Sequence, residues 1–185
     1  VNGAATAPEW AAAGSGAWTE EGNDVNTVKG ATLDVTVSDA DVYQILYNVA
    51  DGGDVATPAL TMRLNDDTGA NYDMIKLFGY SAGADGDNPT GKTKWLLSAD
   101  GSEDSCAYVY KANSNFVTAA KGGATLYSQT QQTSSTTSLY CLNVCGTNAT
   151  ITGAITKITL KVMKSSTEDD SQIVGSMRVN SLSYS

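Results

Sequence analysis

The chain contains no histidine. That absence removes the commonest general base, the commonest metal ligand and the usual switch near neutral pH. Cysteine is scarce, with three residues, Cys106, Cys141 and Cys145. An odd count does not build a full disulfide framework. Cys141 and Cys145 fall on one expected strand, which sets their Cα atoms ~13 Å apart and too distant for a bridge. A zinc site would need a fourth ligand, and none is evident. Three reduced, mostly buried thiols are expected, which is consistent with folding in a reducing cytosol.

Positive charge is also in short supply. There are 11 basic residues against 20 acidic ones, a net charge of −9 and a pI near 4.3. An acidic surface repels phosphate, so nucleic-acid binding is not expected. The same charge keeps a protein soluble at high copy number. No apolar run reaches the length of a transmembrane helix, and the N-terminus has neither the basic region nor the compact apolar core of a secretory signal. No membrane partner is expected.

What is present favours β-structure. Valine, threonine and 9 tyrosines suit pleated, half-buried surfaces. The 18 glycines follow no period, which excludes collagen-like and solenoid chains. A length of 185 residues suffices for one domain with a sizeable core.

Apolar side chains recur with the period of two that marks a strand. Leu33, Val35 and Val37 share one face, as do Tyr43, Ile45, Tyr47 and Val49. Leu60, Met62 and Leu64 form a third such run, and Ile75 with Leu77 a fourth. Trp95, expected in the core, centres a short strand. Tyr108 and Tyr110 lie on another, and Tyr140, Leu142 and Val144 on the next. Ile158, Leu160 and Val162 alternate most cleanly. A closing strand spans Ile173 to Tyr184, and its change of phase suggests a bulge near Ser181. Ser81–Lys92 reads as a long polar excursion, and Gln129–Ser138 as a mobile loop or an edge. About eight to ten strands with short turns indicate an all-β, two-sheet antiparallel β-sandwich. The jelly roll is the favoured arrangement.

Residues 1–20 differ from the sandwich at 21–185. They read as an extended N-terminal arm, rich in alanine and glycine. The arm holds Trp10 and Trp18, two of the chain's three tryptophans. An arm that docks on a neighbouring chain gains a large apolar contact from each indole, so both are candidate interface residues. The competing reading packs the arm on its own domain.

Between two strands stands Asn65-Asp66-Asp67-Thr68-Gly69-Ala70-Asn71-Tyr72. Short Asn and Asp side chains bond local backbone N–H groups, and Gly69 is expected to supply a positive φ. The stretch reads as a rigid structural turn. Asp66, Asp67 and Asp73 raise the possibility of calcium, which takes about six to eight oxygens. The spacing is not that of an EF-hand, so the structural turn is preferred and no metal or cofactor is expected. Asn148-Ala149-Thr150 matches a glycosylation sequon.

This turn resembles an element of β-sandwich structural proteins of tailed bacteriophages, in which an apolar strand ends in Asn-Gly-Asp-(Thr/Ser)-Gly-x-Asn-Tyr. Asn65, Asp67, Thr68, Gly69, Asn71 and Tyr72 match, and Asp66 stands where glycine is usual. Gly153–Val162 is similar to the lysine-bearing strand before the last turn, and Gly175–Tyr184 to the closing strand.

The resemblance implies a non-enzymatic virion structural protein, assembled in the host cytoplasm and foremost a capsid decoration or cement protein. Its partners would be the major capsid protein or other virion proteins, and its oligomer a homotrimer. The alternative is a tail-fibre or receptor-binding module recognising carbohydrate, with Tyr80, Tyr108, Tyr110 and Tyr127 stacking on sugar rings. Packing within the sandwich is the plainer reading of those tyrosines. A glycoside-cleaving enzyme needs two carboxyls about 5–9.5 Å apart. Asp34, Asp73 and Glu103 are nameable, but nothing in the sequence pairs them, and no enzyme activity is expected.

Overall fold

The computed structural model describes residues 17–52, 58–80, 83–98, 103–111, 123–133, 139–164 and 172–183. Within them the protein is all-β, with two antiparallel sheets packed face to face. In chain order the strands are β1 (Thr19–Gly30), β2 (Leu33–Thr36), β3 (Val42–Asp51), β4 (Pro58–Leu64), β5 (Tyr72–Tyr80) and β6 (Gly83–Asp87). Then come β7 (Trp95–Ser98), β8 (Glu103–Lys111), β9 (Ala124–Thr133), β10 (Leu139–Asn148), β11 (Lys157–Lys164) and β12 (Ile173–Leu182).

The large sheet runs β1-β12-β3-β8-β9-β10-β5-β6, and the small one β2-β11-β4-β7. Eight of these strands follow the jelly-roll order: β1, β12, β3 and β8 lie side by side in the large sheet and β2, β11, β4 and β7 in the small one, so the chain keeps crossing from one sheet to the other. The remaining four, β9, β10, β5 and β6, widen the first sheet beyond β8.

The alternating runs supply the core. Leu33, Val35, Tyr43, Ile45, Tyr47, Leu60, Met62, Leu64, Ile158, Leu160 and Val162 are all buried between the sheets. On β5 the inward residues are Tyr72 and Met74, while Ile75 and Leu77 point outward and remain 52% and 56% exposed.

Three strands carry little sequence signal. β1 begins at Thr19, inside the stretch expected to be an arm. Its residues are mostly polar because, among the described residues, it is the edge of the large sheet and pairs only with β12. β6 pairs with β5 within the expected polar excursion. β9 continues to Thr133, so Gln129–Thr133 is strand and not loop; its ladder with β8 ends at Gln129, and among the described residues Thr130–Thr133 pair with β10 alone, as an edge does. Backbone pairing with β10 holds these polar residues in the sheet.

The bulge is also displaced from where the sequence suggests it. β12 pairs with β3 in unbroken register from Ile173 to Leu182. The irregularity lies across the other ladder, where Glu20 faces Asn180 and Gly22 faces Val179, leaving Glu21 as the extra residue. The Glu21 carboxylate accepts hydrogen bonds from Ser181 Oγ and from Ser38 N at 2.8 Å. Burial works to raise its pKa, yet these donors prevail and hold it below the ordinary glutamate value.

Candidate functional site

Two regions gather the residues singled out by sequence: the turn between β4 and β5, and the outer face of the large sheet.

The turn is built by hydrogen bonds. Asp67 N donates to Leu64 O at 2.9 Å across two residues of positive φ, Asn65 at 53° and Asp66 at 54°. This is a reverse turn of type I′ character. The left-handed residues are therefore Asn65 and Asp66, not Gly69. Glycine at position 69 meets a different demand, because a Cβ there would run into the Asn71 amide and lie 3.1 Å from Asp67 Oδ1.

Asn65 ties the turn to the chain leading into β11. Its Nδ2 donates to Ala154 O at 2.8 Å, and its Oδ1 accepts from Thr156 N at 2.8 Å and Lys157 N at 3.2 Å. Asp67 holds the interior of the loop. It accepts from Gly69 N at 2.8 Å, from Asn71 Nδ2 at 3.1 Å and from Asn148 Nδ2 at 2.9 Å. Partial burial alone would raise its pKa, but the donors from Asn148, Gly69 and Asn71 outweigh it and hold the carboxyl below the ordinary aspartate value. Thr68 is exposed. Tyr72 is fully buried, and its hydroxyl accepts from Leu64 N at 3.1 Å.

The three carboxylates that raised a calcium reading turn to different partners. Asp66 bonds Lys157 Nζ at 2.9 Å, Asp67 faces the loop amides, and Asp73 accepts from Gly91 N at 2.7 Å. Among the described residues no group of three or more His, Cys, Asp or Glu side chains converges. The sequon asparagine, Asn148, is buried and spends its amide on Asp67 and Thr150.

Two of the nameable acids of a hydrolase lie on different sheets. Asp34 lies on β2 of the small sheet, where it accepts from Thr159 Oγ1 at 2.6 Å and Thr32 Oγ1 at 2.7 Å. Asp73 is on β5 of the large sheet. Glu103 opens β8, and its side chain lies outside the described residues.

The outer face of the large sheet carries aromatic and apolar side chains. The register puts Tyr108 opposite Tyr127, Tyr127 opposite Cys145, and Cys145 opposite Ile75, in one row across β8, β9, β10 and β5. Tyr127 is 42% exposed. Tyr108 packs between Trp18 and Tyr110, each with a ring centroid 6.5 Å away. Trp18 thus rests against its own domain while remaining 44% exposed. A depression of about 390 Å3 opens beside Tyr108 and Tyr127, lined also by Asp104, Ser105, Cys106 and Gln129.

The cysteines depart from expectation on this face. Cys145 is exposed and Cys106 half-buried, both as free thiols. Alternation on β10 is what turns Cys145 outward, since buried Val144 takes the inward position beside it. The side chains of Cys141 and Tyr80, and the whole of Trp10, lie outside the described residues.

Sequence reasoning did not single out Ile75 and Leu77 as exposed, because an alternating run does not say which of its faces is inward. Comparison with family profiles, with curated proteins and with solved structures finds no match for the chain.

Proposed function

We propose that the chain is a non-enzymatic virion structural protein of the capsid decoration or cement type. It attaches to a shell through the residues preceding Trp18 and associates as a homo-oligomer, with a trimer as the working assembly. The observation that carries this reading is the position of β1. Among the described residues that strand is the outermost of the large sheet, and Ala17–Glu20 are exposed where it begins. In this reading Trp18 rests on its own domain, and the segment before it crosses to a neighbouring chain. Trp10, with its large apolar surface, is the anchor in such a crossing.

Two further features support the reading. The Asn65–Tyr72 turn, on which the phage resemblance rests, is a self-bonded structural element joining both sheets. Of the acids nameable for a hydrolase, Asp34 and Asp73 occupy separate sheets.

The test is localisation followed by truncation. Antibody against the chain, applied to purified virions, is expected to label heads and leave tails bare. A chain lacking residues 1–16 should fold and fail to occupy shells stripped of the native protein. Labelling confined to tails, or wild-type occupancy by the truncated chain, would overturn the proposal.

A further inference from the structure

We propose that the outer face of the large sheet holds a binding site for a neutral saccharide, centred on Tyr108 and Tyr127. The proposal rests on the geometry of this face and is independent of the virion reading.

A sugar ring offers two surfaces to a protein. Its C–H faces are apolar and pack on aromatic rings, while its hydroxyls donate and accept in the ring plane. The depression beside β8 and β9 offers both kinds of complement. Tyr108 and Tyr127 are direct cross-strand neighbours, and side chains so placed stand close together on one face. Asp104 supplies acceptors, and Gln129 brings an amide that can both donate and accept. The volume of about 390 Å3 falls within the roughly 300–1,000 Å3 of small-ligand sites.

The aromatic floor is held in place before any ligand arrives. Gln44 Nε2 donates to the Tyr108 hydroxyl at 3.0 Å, and Gln44 Oε1 in turn accepts from Asn180 Nδ2 at 3.0 Å. Trp18 and Tyr110 flank the same ring. Ser105 Oγ donates to Gln129 O at 2.7 Å, which ties β8 to β9 at the rim. A fixed platform loses little conformational entropy on binding.

Charge selects the class of sugar. Among the described residues no lysine or arginine lines the depression, Asp104 stands at its rim, and the chain carries a net charge of −9. Sialylated and sulfated glycans are disfavoured at such a site, which leaves neutral hexose oligosaccharides.

The experiment uses the full chain on immobilised neutral oligosaccharides (maltohexaose, cellohexaose, and mannan and galactan fragments) beside sialylated and sulfated ones, with calorimetry on any that are retained. Binding is expected to at least one neutral glycan and to none of the charged set. Tyr127→Ala should weaken it by about tenfold or more, and Asp104→Asn by a smaller factor. Leu77→Ala, on the same face but away from the depression, should leave it unchanged. Circular dichroism and melting of each variant establish that it is folded. Three outcomes overturn the proposal: no retention on any neutral glycan, binding indifferent to Tyr127→Ala, or equal loss in Leu77→Ala. If Tyr127→Ala instead abolishes self-association or shell binding and no glycan is held, the face is a protein interface.

Discussion

The ring of Tyr72 stands edge-on to the indole of Trp95, with centroids 5.1 Å apart and planes at 86°. Tyr72 belongs to the large sheet and Trp95 to the small one, so this contact joins the two across the core. The Tyr72 hydroxyl also accepts from Leu64 N in the turn. One side chain therefore couples the turn to the packing of both sheets.

Tyr72→Phe keeps the ring contact and removes the hydroxyl, leaving Leu64 N without this acceptor. A loss of about 1–2 kcal/mol is expected in urea unfolding. The alkaline limb should change as well. Burial pushes the Tyr72 pKa up to about 12, against about 10 in the unfolded chain. The neutral phenol thus favours the native state below about pH 10, and that contribution drains away as pH rises towards 12. Stability measured from pH 9 to 12 should fall less steeply in Tyr72→Phe than in the parent.

Asp66 occupies a left-handed position with φ of 54°, where a Cβ is costly and glycine is at ease. Its ion pair with Lys157 is solvent-exposed, with Asp66 68% accessible, and contributes little. Asp66→Gly restores the Asn-Gly pair that type I′ turns prefer. It should stabilise the domain by roughly 0.5–1 kcal/mol. Asp66→Val should destabilise by about 1–3 kcal/mol. Equal effects from the two substitutions would rule out backbone strain as the cause.

Asp67 gathers amide donors from within the loop and from Asn148, and its pKa is depressed. A depressed carboxyl stabilises the native state above its unfolded pKa of about 4, and that stability is lost as pH falls through the native value. Asp67→Asn should cost roughly 1–2 kcal/mol at neutral pH, because an amide nitrogen cannot accept from Asn148. It should also flatten the acid limb below about pH 4. Melting temperatures of parent and variant between pH 2 and 7 give both quantities.

Cys145 is exposed and Cys106 half-buried. A thiol reagent added to the native protein should therefore modify Cys145 rapidly and Cys106 slowly. Mass spectrometry of the labelled peptides distinguishes them. If neither reacts before denaturant is added, this face is covered in solution.

Much of the sandwich was legible in the sequence because most core strands must present one apolar face. Leu33, Val35, Tyr43, Ile45, Ile158 and Leu160 announce themselves by alternation, and all are buried. Strands held chiefly by backbone pairing leave no such trace. β1 is polar because it is an edge, and the second half of β9 is polar where, beyond Gln129, it pairs with β10 alone among the described residues. The turn was legible as a structural element, but its left-handed residues were not. Gly69 is the residue that φ arguments favour, whereas hydrogen bonding from Asp67 N to Leu64 O fixes Asn65 and Asp66 there instead. The pairing of Tyr108 with Tyr127 depends on register between β8 and β9, which periodicity alone does not contain.

Gly146 tests how tightly the sheets are fitted around Trp95. It sits on β10, where alanine would ordinarily be favoured because glycine loses more backbone entropy on folding. Here a Cβ would stand 2.5 Å from Trp95 Nε1 and 2.7 Å from its Cδ1. The indole is fully buried and braced by Tyr72, so it has little room to retreat. Gly146→Ala should therefore destabilise the domain by about 1–3 kcal/mol, against the direction that propensity alone gives. Trp95→Phe removes the crowding atoms at its own cost in packing. The double variant should lose less than the sum of the two single losses, by about 0.5–3 kcal/mol. Strict additivity in urea unfolding would show that the alanine methyl and the indole do not compete for the same space.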